Sequence, residues 1–259
     1  GIVGIRWFRV ALRAGLAYPG VRPPSTEGAP SMHDPDASPF HAMPQVVVAL
    51  AAAIFGVEVL FMIAKSGLIG GTSGGEDWRI FALQRFAFSG ELFGWMVETG
   101  RWPPEHLMRF VTYPFVHVSF TQMIFVVVFI LALGKMVGEV ISQAAVATIF
   151  FASSIAGALA YALLLNDPRP LVGGFPGAFG LIGGYTFILW VGYGAVGANQ
   201  FRAFTLIGVL MGIQLIFGLL FTVGNDWLAE LAGFFTGLAL SPLLVPGGFG
   251  RLLARLRQR

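Results

Sequence analysis

Long apolar runs separated by short polar breaks make up most of the chain. A helix that spans a membrane needs about 20 mainly apolar residues, and six segments approach that requirement. They are residues 46–64, 111–133, 144–165, 171–191, 204–223 and 227–245. The breaks hold residues that end helices or prefer water, such as Gly134, Lys135 and Glu139 after the second segment. This pattern predicts an all-α membrane protein of six transmembrane helices with both chain ends on one side.

The two ends of the chain differ from this membrane domain of residues 45–245. Residues 1–44 carry Pro, Ser and Asp and predict a polar tail, with Met32 as a hypothetical start of translation. Residues 246–259 form a basic tail. Its arginines are Arg251, Arg255, Arg257 and Arg259. Because arginine and lysine are enriched on the cytoplasmic side of membrane proteins, we expect both termini in the cytoplasm and the protein in a bacterial inner membrane.

The loop of residues 67–110, between the first and second spans, interleaves aromatic and charged residues. On the predicted topology it lies outside, although it contains several basic residues. Its aromatic residues include Trp78, Phe81, Trp95 and Trp102. Such alternation is typical of short amphipathic helices in the membrane interface. An aromatic belt that anchors the loop and a surface that faces a substrate both remain open.

Composition agrees with a membrane protein and excludes several chemistries. Hydrophobic residues make up 56% of the 259 residues and charged residues 11%, and the mean hydropathy is +0.77. The absence of cysteine excludes disulfides, thiolate catalysis and zinc–thiolate sites. The net charge of +3 is scattered except at the C-terminus, so we expect membrane lipids rather than nucleic acid as partners. Gly192, Gly194 and Gly197 match a dinucleotide fingerprint but follow a transmembrane segment, so we predict no cofactor and no metal.

Three motifs in order along the chain resemble the rhomboid intramembrane serine proteases. The first runs from Arg109 through Thr112 and Phe115 to His117 and leads into the second span. The second, VGGFPGAFGLIGGY from residue 172, aligns without gaps on the family pattern VGASGAIFGLLGAY. The third, residues 229–237, aligns on Ala-His-Leu-Gly-Gly followed by a later Gly, and keeps Gly233 and Gly237. The resemblance implies a rhomboid-like six-helix bundle over roughly residues 45–245.

The chain departs from the family at the positions that the resemblance implies are catalytic. Phe175 stands at the serine nucleophile, Glu230 at the histidine base, and Gln122 and Val126 at the histidine and asparagine of the oxyanion site. Phenylalanine cannot attack a carbonyl and valine cannot donate a hydrogen bond. All four histidines precede the third span, so no Ser–His pair can form between the fourth and sixth.

A few polar residues inside or beside the spans remain as candidates. Ionisable groups within a membrane are functional suspects, yet Glu230 lacks a nucleophile beside it and can instead hydrogen-bond or reach the membrane surface. For Glu58, a helix-contact role and a partner site are both open. The resemblance implies a structural role for His117, at the junction of loop and helix. Ser153 and Ser154 suit close helix packing.

These observations favour a rhomboid-family protein that has lost its Ser/His dyad and binds transmembrane clients or complex subunits without cleaving them. One alternative is an active intramembrane serine endopeptidase with an unrecognised nucleophile. Another is a transporter or a subunit of a larger membrane complex, in which Glu58, Gln214 and Glu230 line a polar route. Neither inverted repeats nor paired broken helices are evident for the transporter.

Overall fold

The structure, a computed structural model, describes residues 43–66, 74–165, 167–220 and 224–246. Its helices are α1 (Gln45–Lys65), α2 (Gly74–Phe86), α3 (Gly90–Thr99), α4 (Pro104–Leu107), α5 (Arg109–Thr112), α6 (Phe120–Val140), α7 (Gln143–Leu164), α8 (Phe175–Ala195), α9 (Thr205–Leu220) and α10 (Trp227–Leu244). Two 3₁₀ helices cover Tyr113–Phe115 and Gln200–Phe204. In these ranges the only β pairing is a single bridge between Phe88 and Leu171. The chain therefore forms the all-helical bundle predicted from its apolar pattern, whereas nearly all of the two predicted tails lies outside the described residues.

Among the described residues, five helices are long and apolar enough to cross a membrane: α1, α6, α7, α8 and α10. The first, third and sixth predicted spans agree with α1, α7 and α10 to within one residue at each end. The fifth predicted span, residues 204–223, corresponds to α9, which has 16 residues. Residues 221–223 lie outside the described part of the chain. A membrane crossing by α9, which would bring the number of spans to six, therefore stays a prediction.

The second span was predicted to start at residue 111, but α6 starts nine residues later, at Phe120. Pro114 has no N–H to donate, and it lies within the 3₁₀ turn Tyr113–Phe115, after which Val116 is extended. Ser119 then caps α6 by accepting a hydrogen bond from the N–H of Gln122 at 3.2 Å. At its other end α6 continues past the predicted break to Val140.

The fourth span was also predicted too early, at residue 171. Helix α8 starts at Phe175, because Gly173 lies in the left-handed region with φ of 90° and interrupts the helical path. At the other end α8 reaches Ala195, and Gly197, again with positive φ, donates its N–H to the carbonyl of Gly194 at 3.2 Å. The glycine fingerprint is thus the end of a helix.

Helix α8 lies at the centre of the bundle between α7 and α10. In its most apolar stretch 61% of the residues are buried, against 33% in α1, α6 and α10. Glycines permit this close approach. A Cβ at Gly233 would overlap the carbonyl oxygen of Pro176, and a Cβ at Gly237 would overlap that of Gly180. The backbones of α8 and α10 are therefore in direct contact, as in other small-residue helix pairs in membranes.

Candidate functional site

The loop that leads into α8 is fixed by hydrogen bonds to the backbones of Phe88 and Tyr113 and to the side chain of His117. Leu171 and Phe88 exchange hydrogen bonds of 2.8 and 3.0 Å, and the N–H of Gly173 donates to the carbonyl of Tyr113 at 3.1 Å. Gly174, the N-cap of α8, donates its N–H to Nε2 of His117 at 3.3 Å. The first turn of α8, where the resemblance places the nucleophile, is thus held in a defined position.

The first two turns of α6 face this loop. Oε1 of Gln122 accepts a hydrogen bond from the N–H of Val118 at 3.0 Å. A Cβ at Gly173 would lie 2.9 Å from Nε2 of Gln122, and a Cβ at Gly174 would lie 2.8 Å from Cγ1 of Val126. Gln122 and Val126 are therefore next to the start of α8, so the structure brings the residues aligned with the oxyanion site to the nucleophile position.

The first turn of α8 also faces α10. Pro176 lies against Gly233, and both Pro176 and the carbonyl of Ala229 lie against Gly157. The neighbouring Glu230 is 4% exposed and accepts a hydrogen bond from the Gln214 side-chain amide of α9. Phe175 itself is half-buried and packs against the main hydrophobic core. Position 175 thus carries an aromatic ring, which offers no nucleophilic atom. Position 230 carries a carboxyl group that is hydrogen-bonded to the side-chain amide of Gln214.

His117 joins the loop before α6 to the start of α8. Its side chain is buried, and burial lowers the pKa of His117 to about 4, against the opposing effect of a hydrogen bond with the backbone of Phe115. The nearby charge of Arg79 lowers the pKa further. The ring is therefore neutral near pH 7, which leaves Nε2 free to accept from Gly174.

Glu58 meets a residue that the sequence did not single out. Arg79 of α2 donates to both carboxylate oxygens of Glu58, at 2.5 and 3.2 Å, and also to the carbonyl of His117 at 2.8 Å. Glu58 is 2% exposed, and the guanidinium carbon of Arg79 lies 4.9 Å from the ring centre of Phe61. Of the two interpretations left open for Glu58, the geometry supports helix contact. A signal was present, because a carboxylate within a span requires a partner.

Arg109 and Thr112 cap the end of α2. Arg109 donates to the carbonyls of Gln84 and Ala87, both at 2.9 Å, and the hydroxyl of Thr112 donates to the carbonyl of Phe86 at 3.3 Å. The last carbonyls of a helix have no partner within it. Both side chains of this motif therefore fasten α2 to the segment before α6.

The loop before α6, helix α6 and helix α10 thus all contact the segment at the start of α8. A family model for the Rhomboid domain matches residues 104–247, which is more than half of the chain. The chain belongs to the rhomboid family. No curated protein matches it significantly.

The rhomboid match covers α4 to α10 and includes Gln122, Val126, Phe175 and Glu230. It does not include Glu58 and Arg79, which precede residue 104. Of the three residues suggested for a polar route, Gln214 contacts Glu230, whereas Glu58 contacts Arg79. In the described residues no three His, Asp or Glu side chains are grouped so that they could hold a metal ion.

The serines of α7 lie inside this rhomboid bundle. Ser153 is fully buried, and a Cβ at Gly180 would overlap its hydroxyl oxygen. The Ser154 hydroxyl donates to the carbonyl of Phe150 at 2.8 Å. Their positions agree with close packing between α7 and α8.

Proposed function

We propose that this rhomboid-family membrane protein binds transmembrane partners without cleaving them. The observation that carries the proposal is the chemistry of the site. The family scaffold brings α6, α8 and α10 together, but the residues at the meeting point are Phe175, Val126 and a Glu230–Gln214 pair. None of these supplies a nucleophile activated by a base or an asparagine donor for an oxyanion.

The backbone at the start of α8 supports the same proposal. In rhomboid proteases a glycine follows the nucleophile, whereas this chain has Pro176. Proline has no N–H, so the residue after position 175 cannot donate to a developing negative charge. Loss of one such donor lowers the rate of an acyl-transfer enzyme by about 10² to 10³. The site is thus altered in its backbone donors as well as in its side chains.

Photo-crosslinking in the native membrane tests binding without cleavage. With a photoreactive phenylalanine analogue at Phe175, we expect discrete adducts with full-length membrane proteins. The matched control carries the analogue at Phe55, which is 43% exposed on α1, a helix long and apolar enough to cross a membrane. Adducts identical to those from Phe55 would contradict partner binding at the site, and adducts that contain only cleaved fragments would identify a protease.

Restoring the dyad alone is expected to leave the protein inactive. The double variant Phe175→Ser/Glu230→His still lacks both oxyanion side chains and the N–H of residue 176. Adding Pro176→Gly, Gln122→His and Val126→Asn is expected to raise cleavage of a model transmembrane substrate by at least about 10² over the double variant, since several donors return together. Efficient cleavage by wild type or by the double variant would remove the main support for a binding protein.

The proposed orientation places both termini in the cytoplasm, in agreement with the basic tail after α10. The chain has no cysteine, so single cysteines can be introduced at Asp167 and Arg259 without a background. In intact cells an impermeant maleimide is expected to label Asp167→Cys and not Arg259→Cys until the membrane is opened. Labelling of both positions from the same side would contradict the six-span topology.

A further inference from the structure

An apolar groove of about 620 Å³ lies between α1, α2 and the segment before α6. Leu60 and Phe61 of α1 form one wall, Phe81 and Phe86 of α2 form another, and Thr112 is the polar residue of the lining. Leu60 and Phe81 are 52% and 64% exposed. Because α1 is long and apolar enough to cross a membrane, we expect the wall that contains the exposed Leu60 to face the hydrocarbon of the bilayer.

Two arginines lie beside Phe86 and Thr112, which both line this groove and are joined by a hydrogen bond. Arg85 precedes Phe86 and is exposed, and Arg109 lies one turn before Thr112. Burial lowers the pKa of Arg109, and the nearby charge of Arg85 lowers it further, so the two guanidiniums lie close together. In the described residues neither forms an ion pair, since the salt bridges there join Arg79 to Glu58, Lys135 to Glu139 and Arg169 to Asp167.

Among the described residues, no acidic side chain therefore neutralises the charge of Arg85 or Arg109. Arg109 uses two of its nitrogens on the carbonyls of Gln84 and Ala87, which fixes the guanidinium without neutralising it. Its Nε is buried and has no hydrogen-bond partner among the described residues. An anion at this position would relieve the repulsion between the two arginines.

We propose that the groove binds an acyl chain of an anionic phospholipid whose phosphate lies against Arg85 and Arg109. The apolar walls match a hydrocarbon chain, and the paired cations match the headgroup. Anionic lipids are attracted to basic groups at the membrane surface by about 1 kcal/mol for each charge. The occupant is thus an amphipathic molecule with its charged and apolar parts in the order that the groove provides.

The size of the groove favours a lipid chain over a transmembrane helix of a client. A helix is about 10 Å across and rises 5.4 Å per turn, so one turn occupies roughly 400 Å³. A whole spanning helix, with more than five turns, is larger than the groove. A single flexible chain fits without that requirement.

Native mass spectrometry tests the proposal with defined lipids. The protein is reconstituted in nanodiscs that contain equal amounts of phosphatidylglycerol and phosphatidylcholine with the same chains, and is then released into mild detergent. We expect wild type to retain phosphatidylglycerol in preference to phosphatidylcholine. Arg85→Gln should lower this preference about fivefold, which corresponds to about 1 kcal/mol. Arg101→Gln, which removes an exposed arginine that is not adjacent in sequence to any residue of the groove lining, should leave the preference unchanged.

Filling the groove separates a specific site from general surface charge. Leu60→Trp places a larger ring in the groove and is expected to lower retention of the lipid while Arg85 remains. Thermal unfolding of each variant checks that the fold is intact. Equal retention of the two lipids by wild type would overturn the proposal, and so would equal effects of Arg85→Gln and Arg101→Gln. Displacement of the retained lipid by an excess of a single-span peptide would assign the groove to a helix instead.

Discussion

Replacing Arg79 by glutamine is expected to lower the free energy of unfolding by about 3 kcal/mol. The change leaves the carboxylate of Glu58 buried without its cation, and breaking a buried ion pair from one side costs about 3–5 kcal/mol. The lower end of this range applies because the Arg79 side chain is 23% exposed. Unfolding of purified protein in mixed micelles, as the fraction of denaturing detergent rises, measures the change.

The double variant Glu58→Gln/Arg79→Gln distinguishes an unpaired charge from a loss of packing. Without the carboxylate no charge is left buried, so the double variant is expected to be more stable than Arg79→Gln alone. Some loss should persist, because the bond from Arg79 to the carbonyl of His117 is also removed. A cost below about 1 kcal/mol for Arg79→Gln would show that the pair behaves like a solvated surface bridge.

The Glu58–Arg79 pair also shows where sequence reasoning ends. The apolar pattern around Glu58 placed a carboxylate within a span, and physical chemistry then required a partner. The segment after α1 contains several basic residues. The pattern does not say that the one 21 residues after Glu58 is its partner. That choice depends on how α2 packs on α1, which is a tertiary contact and not a local property.

The starts of α6 and α8 were missed for a different reason. A count of apolar residues extends each span backwards through Val111 and Leu171, because it ignores backbone geometry. Local signals were nevertheless present in the sequence. Ser119 followed three residues later by Gln122 resembles the start of a helix, and the glycine pair before Phe175 resembles a break in one.

The positions aligned with the catalytic residues of the family stay a prediction as to their function, but their grouping in space can be compared with the structure. The family motifs fixed the order of Gln122, Val126, Phe175 and Glu230 along the chain, and the structure places these residues around the start of α8. The contact between Glu230 and Gln214 depends on the relative rotation of α9 and α10. The hydropathy pattern does not predict that rotation, because both helices are apolar on most sides.

Close contact between α8 and α10 predicts an unusual sensitivity to one methyl group. Gly237→Ala is expected to lower the free energy of unfolding by about 3 kcal/mol. The added Cβ would overlap the backbone carbonyl of Gly180, which cannot rotate away as a side chain would, so the two helices must separate. Overpacking of a tight core usually costs about 1–3 kcal/mol, and a clash with backbone lies at the upper end.

Gly56→Ala is the matched control for this change. Gly56 lies in the spanning helix α1, and nothing comes within 4 Å of the position that its Cβ would take. The same substitution should therefore stabilise the protein by about 0.5–1 kcal/mol, because alanine favours the helix and restricts the unfolded chain. Opposite signs for the two variants are the expected result of unfolding measurements in the same detergent.

Gly233→Ala extends this prediction to the mechanism of the loss. Gly233 lies one turn of α10 before Gly237, and its Cβ would overlap the carbonyl of Pro176. If each substitution separates α8 from α10, the second causes little further strain once the first is present. The double variant Gly233→Ala/Gly237→Ala is therefore expected to lose less stability than the two single variants added together, as for other residues that share one contact. Strict additivity would mean that each clash is absorbed locally and that the helices keep their spacing.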